Sequence, residues 1–237
     1  MWLRVLILLG ILGLIFLKVN FIKNSQAQTP DDNLENVWLS SAYDPESPFP
    51  LEARAGMVLN RYTGEIFFKK NEDLVLPIAS LSKLMTAVVA LESGDYDQGA
   101  LRRMLIISDN QAADKLVGSK IALLNLKAKN LGMNNTYFED ASGLSPNNRS
   151  TVSDLLKLVN YSLRYPEIWE ALSAEEYRGT KNTNELLGKY GIIAGKTGLT
   201  DEAGECLILL TKDLITIVLN ASDRFEESKK LIELFTQ

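Results

Sequence analysis

Two pairs of strand-forming segments constrain the fold most strongly. One pair lies near the start of the globular part of the chain and the other near its end. The first pair, 56–59 and 65–68, flanks a turn-forming stretch, and the second pair is 206–210 and 214–219. Apolar residues recur at helical spacing between the pairs, which predicts helices over 80–91, 101–107, 111–117, 121–131 and 152–163, with a closing helix over 224–235. The order of strands, helices and strands predicts an α+β fold, in which an antiparallel sheet of N- and C-terminal strands packs with a helical subdomain.

The first 27 residues are typical of a targeting segment. Residues 5–17 are apolar throughout and follow Arg4, but as a helix they span only about 20 Å, less than the roughly 30 Å of a bilayer core. Small residues at 25 and 27 suit a cleavage site, whereas extension through Ile22 would give a tilted anchor. We therefore predict a signal peptide or N-terminal membrane anchor over 1–27, a flexible linker over 28–54 and one domain over 55–237. This domain would work in the periplasm or at the outer face of the cytoplasmic membrane.

The composition excludes several kinds of active site. The 237 residues include no histidine, so a Ser-His-Asp triad and a histidine-based zinc site are both impossible. The single cysteine, Cys206, can form neither an internal disulfide nor a thiolate cluster for a metal. A net charge of −5 disfavours binding to nucleic-acid phosphates. Any chemistry must therefore use lysines, carboxylates, hydroxyls or the one thiol.

A serine and a lysine three positions apart suggest a nucleophile and its base. Residues three apart share one face of a helix, so Lys83 is expected beside the Ser80 hydroxyl, and Pro77 places Ser80 in the first helical turn. Free backbone N–H groups at that end favour developing negative charge. A lysine held neutral by burial and by a nearby cation can replace histidine as the base, and Lys196 is available as that cation.

Two further short motifs are ambiguous when each is taken alone. Ser108-Asp109-Asn110 contains residue types that serve as helix caps, and Lys196-Thr197-Gly198 could be a turn at the end of a strand. Together with 80–83, in this order, they resemble the three motifs of serine β-lactamases and penicillin-binding proteins.

The wider sequence narrows this resemblance. Five stretches resemble D-alanyl-D-alanine carboxypeptidases, the low-molecular-mass penicillin-binding proteins of the S11 peptidase family: 77–86, 131–144, 150–154, 182–187 and 195–204. The resemblance implies a β-lactamase/transpeptidase-like fold and a catalytic domain over 55–237.

The resemblance also implies the reaction and its residues. The enzyme would release the terminal D-alanine of a peptidoglycan stem peptide through an acyl-enzyme, without a metal or organic cofactor, and β-lactam antibiotics would inhibit it covalently. The implied catalytic residues are the nucleophile Ser80, its general base Lys83 and the proton relay Ser108. The implied substrate-binding residues are Asn110, Lys196, Thr197, Gly198 and Leu199, with the backbone N–H groups of Ser80 and Leu199 as the oxyanion hole.

Three features depart from the family pattern. Segment 92–107, between the first two motifs, is short where members usually carry an additional hairpin. Thr183 stands where some members carry an arginine, which leaves Lys181 as the nearest substitute, and Asp109 stands where glycine is common. Aspartate at that position is more typical of class A β-lactamases. The alternatives are therefore a β-lactamase-type hydrolase and a peptidoglycan-binding module with a weakened catalytic site.

Overall fold

A five-stranded antiparallel sheet forms the centre of the structure, a computed structural model that describes residues 51–235. The strands are β1 (Ala55–Asn60), β2 (Ile66–Lys70), β3 (Leu76–Pro77), β4 (Arg149–Ser150), β5 (Glu176–Tyr177), β6 (Thr180–Lys181), β7 (Ile192–Thr200), β8 (Gly204–Thr211) and β9 (Leu214–Ala221). The order in the sheet is β2-β1-β9-β8-β7, while β3 with β4 and β5 with β6 form two small ribbons. Met57 of β1 lies opposite Ile217 of β9, so the N- and C-terminal strands share one sheet and the predicted α+β architecture is confirmed.

Helices cover both faces of this sheet. They are α1 (Lys83–Ser93), α2 (Gln98–Ile106), α3 (Asn110–Val117), α4 (Ile121–Asn130), α5 (Val152–Ser162), α6 (Pro166–Leu172) and α7 (Arg224–Phe235), and a 3₁₀ turn (Ala79–Ser82) precedes α1. Successive side chains of a strand point to opposite faces. Met57 and Leu59 therefore join the core beneath α1–α6, whereas Val58 packs with Leu231 of α7.

Several element boundaries differ from the sequence-based expectations. Ser80 lies in the 3₁₀ turn, and the α-helix begins only at Lys83. Helix α6 was not predicted, because its seven residues give too short a pattern to recognise; it begins at Pro166, a residue that suits the first position of a helix.

The predicted linker is too long at its C-terminal end. Leu51 and Ala53 are buried, although 28–54 was assigned to a flexible linker. The Glu227 carboxylate accepts the backbone N–H groups of Glu52 and Ala53, and the Lys70 ammonium donates to the carbonyl of Leu51. Residues 51–54 therefore belong to the packed domain, because α7 and β2 satisfy their backbone groups. The targeting segment over 1–27 and the rest of the linker lie outside the described residues.

The connection between the first two motifs is short, as expected. A turn after α1 leads directly into α2, and α2 runs to the second motif. Among the helices of residues 51–235, none combines the length and the apolar character needed to span a bilayer.

Candidate active site

Two glycines from distant parts of the chain hold the turn that contains Ser80. Ala79 has a φ of +46°, a left-handed conformation that costs a non-glycine residue about 1–2 kcal/mol. A Cβ placed on Gly143 would lie 1.9 Å from the carbonyl oxygen of Ala79, and one placed on Gly198 would lie 2.9 Å from the carbonyl oxygen of Ile78. Only residues without a side chain can approach so closely, so this turn is clamped on two sides.

Lys83 lies directly beside the Ser80 hydroxyl, at the start of α1. Its Nζ is 2.7 Å from Ser80 Oγ, 2.7 Å from Asn110 Oδ1 and 2.5 Å from the carbonyl oxygen of Ser142, and the residue is 0% exposed. The amide and carbonyl oxygens can only accept hydrogen bonds. A neutral Lys83 therefore donates its two N–H groups to Asn110 and Ser142, which leaves its lone pair directed at the hydroxyl of Ser80.

The second motif forms the turn between α2 and α3. Its residues both cap a helix and place polar side chains in the site. Ser108 has a φ of +58°, and Asp109 caps α3 by accepting the N–H of Ala112 at 2.7 Å. This turn directs Ser108 Oγ to Lys196 Nζ, 2.9 Å away, and Asn110 Oδ1 to Lys83. Helix capping and placement of the polar side chains thus depend on the same three residues.

The third motif lies within β7 and not in a turn at a strand end. Lys196, Thr197 and Gly198 pair with residues of β8, and Lys196 is 1% exposed. The side chain of Lys196 reaches towards the helical subdomain, and the Thr197 hydroxyl contacts the Thr183 hydroxyl at 2.6 Å. Leu199 is 58% exposed, so the strand emerges at the surface immediately after the motif.

Burial lowers the pKa of both lysines. The pKa of Lys83 falls from 10.5 to about 8 because of burial, although the charges of Asp140, Asp114 and Asp109 oppose the shift. Burial also lowers the pKa of Lys196 well below its usual range, and the positive charges of Lys83 and Arg224 lower it further. Burial and the neighbouring positive charges thus both oppose the charge that the sequence led us to expect on Lys196.

Arg224 is the cation that the sequence analysis missed. It begins α7, its Nη1 donates to the carbonyl oxygen of Gly198 at 3.2 Å, and it lies 3.8 Å from the Glu205 carboxylate. Lys181 was named as the nearest substitute for the missing arginine, but it is exposed on β6. A lone arginine at the start of a helix gives no sequence signal, because only the pairing of β7, β8 and β9 brings it to the third motif.

The turn at Asp140 is a second element to which no role was assigned. The Asp140 carboxylate accepts the backbone N–H groups of Ser142, Gly143 and Ser145, and these bonds fold the loop that brings Gly143 and the Ser142 carbonyl to the site. An aspartate commonly accepts the backbone N–H of the residue two positions on, and a glycine follows here at 143, so this turn was recognisable in the sequence. Residues 51–235 contain no cluster of three or more Cys, Asp or Glu side chains placed to hold a metal ion.

Comparison with known proteins gives consistent matches across the chain. A family model described as Peptidase S11, D-alanyl-D-alanine carboxypeptidase, matches residues 41–123 and 97–223. A D-alanyl-D-alanine endopeptidase of Escherichia coli is 33% identical over 223 residues, covering 72% of each chain. A carboxypeptidase of Bacillus subtilis, DacF, is 25% identical over 239 residues, covering 77% of this chain and 61% of that protein. The alignment with the E. coli protein is 223 positions long, although it covers only 72% of the 237 residues of this chain. It therefore includes positions at which the E. coli protein has a residue and this chain has none.

A solved structure supports the same assignment. Penicillin-binding protein D2 of Listeria monocytogenes, in an ampicillin-bound form, superposes with a TM-score of 0.73 at 32% identity, covering 78% of this chain and 98% of that one. The family match spans most of the described domain, and the three motifs meet in one site within it. This chain therefore belongs to the S11 family of D-alanyl-D-alanine peptidases.

Proposed function

We propose that this protein is a serine D,D-peptidase that cleaves peptidoglycan stem peptides through an acyl-enzyme on Ser80. The observation that carries the proposal is the set of three contacts at Lys83 Nζ, to Ser80 Oγ, Asn110 Oδ1 and the Ser142 carbonyl. Two of the three partners can only accept, so they orient the amine lone pair towards the nucleophile. A hydroxyl and a base within hydrogen-bond distance satisfy the first geometric requirement of nucleophilic catalysis.

Acylation follows from this arrangement. Lys83 Nζ takes the proton of Ser80 as Oγ bonds to the carbonyl carbon of the D-alanine that precedes the scissile bond. The backbone N–H groups of Ser80 and Leu199 stabilise the resulting oxyanion. The carbon–nitrogen bond then breaks, and the proton taken from Ser80 reaches the leaving amine through Ser108. Water subsequently attacks the ester, and its proton returns by way of Lys83 to the Ser80 oxygen.

The strand side of the site is suited to a carboxylate next to the scissile bond. Thr197 offers a hydroxyl, and Arg224, at the carbonyl of Gly198, supplies positive charge. Lys196 is buried, and the approach of a carboxylate would raise its pKa and favour its protonation. A bound carboxylate would thus favour the charged form of Lys196.

Of the two D,D-peptidase activities, we propose endopeptidase cleavage of cross-links ahead of carboxypeptidase trimming. The sequence analysis placed carboxypeptidase first. Relatives named endopeptidases, from E. coli and Haemophilus influenzae, are 33% and 34% identical, whereas those named carboxypeptidases are 23–29% identical.

We further propose covalent inhibition by β-lactams and action outside the cytoplasm. The first is supported by the ampicillin- and cefotaxime-bound structures of the Listeria protein, which are 32% and 31% identical to this chain. The second is supported by the location of peptidoglycan and by the apolar segment over 1–27, which would export the domain or tether it to the membrane.

The test uses two substrates and one substitution. We expect a fluorescent penicillin to label the protein, and Ser80→Ala to abolish both labelling and peptide cleavage. Mass analysis should show faster cleavage of a cross-linked tetrapeptide dimer than loss of alanine from a pentapeptide ending in D-Ala-D-Ala. The reverse order would restore the carboxypeptidase assignment. Rapid hydrolysis of the drug without peptide cleavage would favour the β-lactamase alternative, and cell-wall binding without labelling would favour the binding module.

A further inference from the structure

The two carboxylate oxygens of Asp109 make two different contacts. Oδ1 caps α3 through the N–H of Ala112, at 2.7 Å, and Oδ2 lies 3.1 Å from Nε of Arg103 in the last turn of α2. The second contact is an ion pair and not a linear hydrogen bond. A positive charge at the C-terminal end of a helix is favourable in itself. Asp109 therefore ties the second motif to both of the helices that flank it.

The residues on either side of Asp109 contact the two buried lysines. Ser108 Oγ lies 2.9 Å from Lys196 Nζ, and Asn110 Oδ1 lies 2.7 Å from Lys83 Nζ. The left-handed backbone of Ser108 persists only where its surroundings impose it. Because Asp109 lies between these two residues, a contact that fixes its backbone fixes both of them.

Helix α2 also connects this turn to the strand side of the site. The N–H of Thr183 donates to the carbonyl of Ile106 at the end of α2, at 3.2 Å, and the Thr183 hydroxyl contacts Thr197. Helix α2 lies in the short connection between the first two motifs. The ion pair with Arg103 thus links the second motif to a helix that is itself anchored beside β7.

A closely similar pair joins the same two helices away from the site. Asp97 caps α2 through the N–H of Ala100, at 2.9 Å, and its second oxygen lies 2.5 Å from Lys115 Nζ on α3. Both pairs combine a capping aspartate with a cation on the neighbouring helix. They differ in position, since the residues adjoining Asp97 contact neither Lys83 nor Lys196.

We propose that Asp109, held by Arg103, is a positioning residue that fixes Ser108 and Asn110 against the two buried lysines and thereby sets the acylation rate. The proposal rests on the proposed function, because it assigns Asp109 to the same reaction. It also accounts for an aspartate at a position where glycine is common in the family.

The test measures acylation by a fluorescent penicillin in wild type, Asp109→Asn, Arg103→Gln and the matched control Asp97→Asn. Asparagine caps helices as well as aspartate does, so both asparagine variants lose mainly a charge and an ion pair. We expect Asp109→Asn and Arg103→Gln to acylate at least about tenfold more slowly, because small misplacements of reacting groups are costly. Asp97→Asn should stay within about twofold of wild type.

The pH profile separates positioning from a general loss of stability. The charges that act on Lys83 are those of Asp140, Asp114 and Asp109, which favour its protonated form and so oppose the effect of burial. Lys83 must be neutral to act, and loss of the Asp109 charge lowers its pKa. The acid limb of the acylation profile should therefore move to lower pH in Asp109→Asn but not in Arg103→Gln.

Each outcome bears on one of the two proposals. If Asp109→Asn has the acylation rate of wild type and the same acid limb of the pH profile, and labelling still depends on Ser80, the positioning role is overturned and the proposed function stays intact. No labelling of wild type would instead overturn the proposed function. Thermal melts check folding. If Asp109→Asn does not fold, wild-type acylation by the more exposed Arg103→Gln overturns the positioning role.

Discussion

Two regions of the site each bury a lysine, and the surroundings of these lysines differ. On the helix side, formed by Ala79–Ser82 and α1, Lys83 has three oxygen partners, and three aspartate charges favour its protonated form. On the strand side, formed by β7, Lys196 has the Ser108 hydroxyl and the Thr197 carbonyl, and the charges around it are positive. Burial lowers the pKa of both, but only on the helix side do neighbouring charges oppose the shift.

This difference shows how two buried lysines can serve different purposes. Lys83 retains a pKa of about 8, close to the range in which a base can both accept and release a proton. Burial also lowers the pKa of Lys196, and the positive charges of Lys83 and Arg224 lower it further. Under the proposed function, proton transfer belongs to the helix side and carboxylate recognition to the strand side.

Removing each lysine in turn tests this division and gives the largest expected effect. Lys83→Met should slow acylation by about 10³-fold, since general-base catalysis contributes about 10²–10⁴-fold. Lys196→Met should act mainly through substrate binding, raising KM for a peptide with a free carboxylate more than it lowers kcat. Single-turnover labelling and steady-state kinetics on a stem peptide measure the two effects. Equal losses of kcat in both variants would contradict the division of roles.

Replacing either glycine that clamps the Ser80 turn, Gly143 or Gly198, with alanine tests how tightly each one holds that turn. Gly143→Ala brings a Cβ to 1.9 Å from Ala79 at a φ of +84°, so we expect a loss of about 3 kcal/mol or more in unfolding free energy, with acylation impaired. Gly198→Ala meets Ile78 at 2.9 Å without left-handed strain and should cost about 1–2 kcal/mol.

Gly132→Ala is the matched control for these variants. Gly132 has a similar φ of +67° with nothing near its Cβ position, so this change should cost only about 1 kcal/mol and leave acylation unchanged. Urea unfolding and penicillin labelling report the two quantities. If Gly143→Ala resembled Gly132→Ala, the close contact with Ala79 would not hold the turn.

The pH dependence of stability examines the helix side alone. The pKa of Lys83 is about 8 when folded and 10.5 when unfolded. Burial of this lysine therefore destabilises the folded state fully below pH 8, and the destabilisation disappears as the pH rises to 10.5. The unfolding free energy of wild type relative to Lys83→Met should rise over this window by up to about 3 kcal/mol. Burial raises the pKa of Cys206 to about 11, and this effect is common to both proteins. A flat difference between the two urea-unfolding series would show that Lys83 is not held below its usual pKa.

Local patterns were sufficient where chemistry depends on near neighbours in sequence. The spacing of Ser80 and Lys83 predicted their contact, and the order of strand and helix patterns predicted a sheet shared by N- and C-terminal strands. Local patterns were insufficient for the helix start at Lys83, the short helix α6 and the burial of Leu51. The helix start and the burial of Leu51 depend on packing against segments far away in the chain, whereas α6 is too short to give a recognisable pattern.

By itself, the sequence determined the absence of histidine chemistry and the α+β order of elements, and it predicted the candidate reacting groups, because these depend on residue type, spacing and periodicity. Only the tertiary structure decided that Arg224 lies at Gly198, that the Ser142 carbonyl reaches Lys83, and that burial lowers the pKa of Lys196. Those properties arise from burial and from contacts between distant segments. No local pattern records them, because the energy of a charge depends on everything that surrounds it in space.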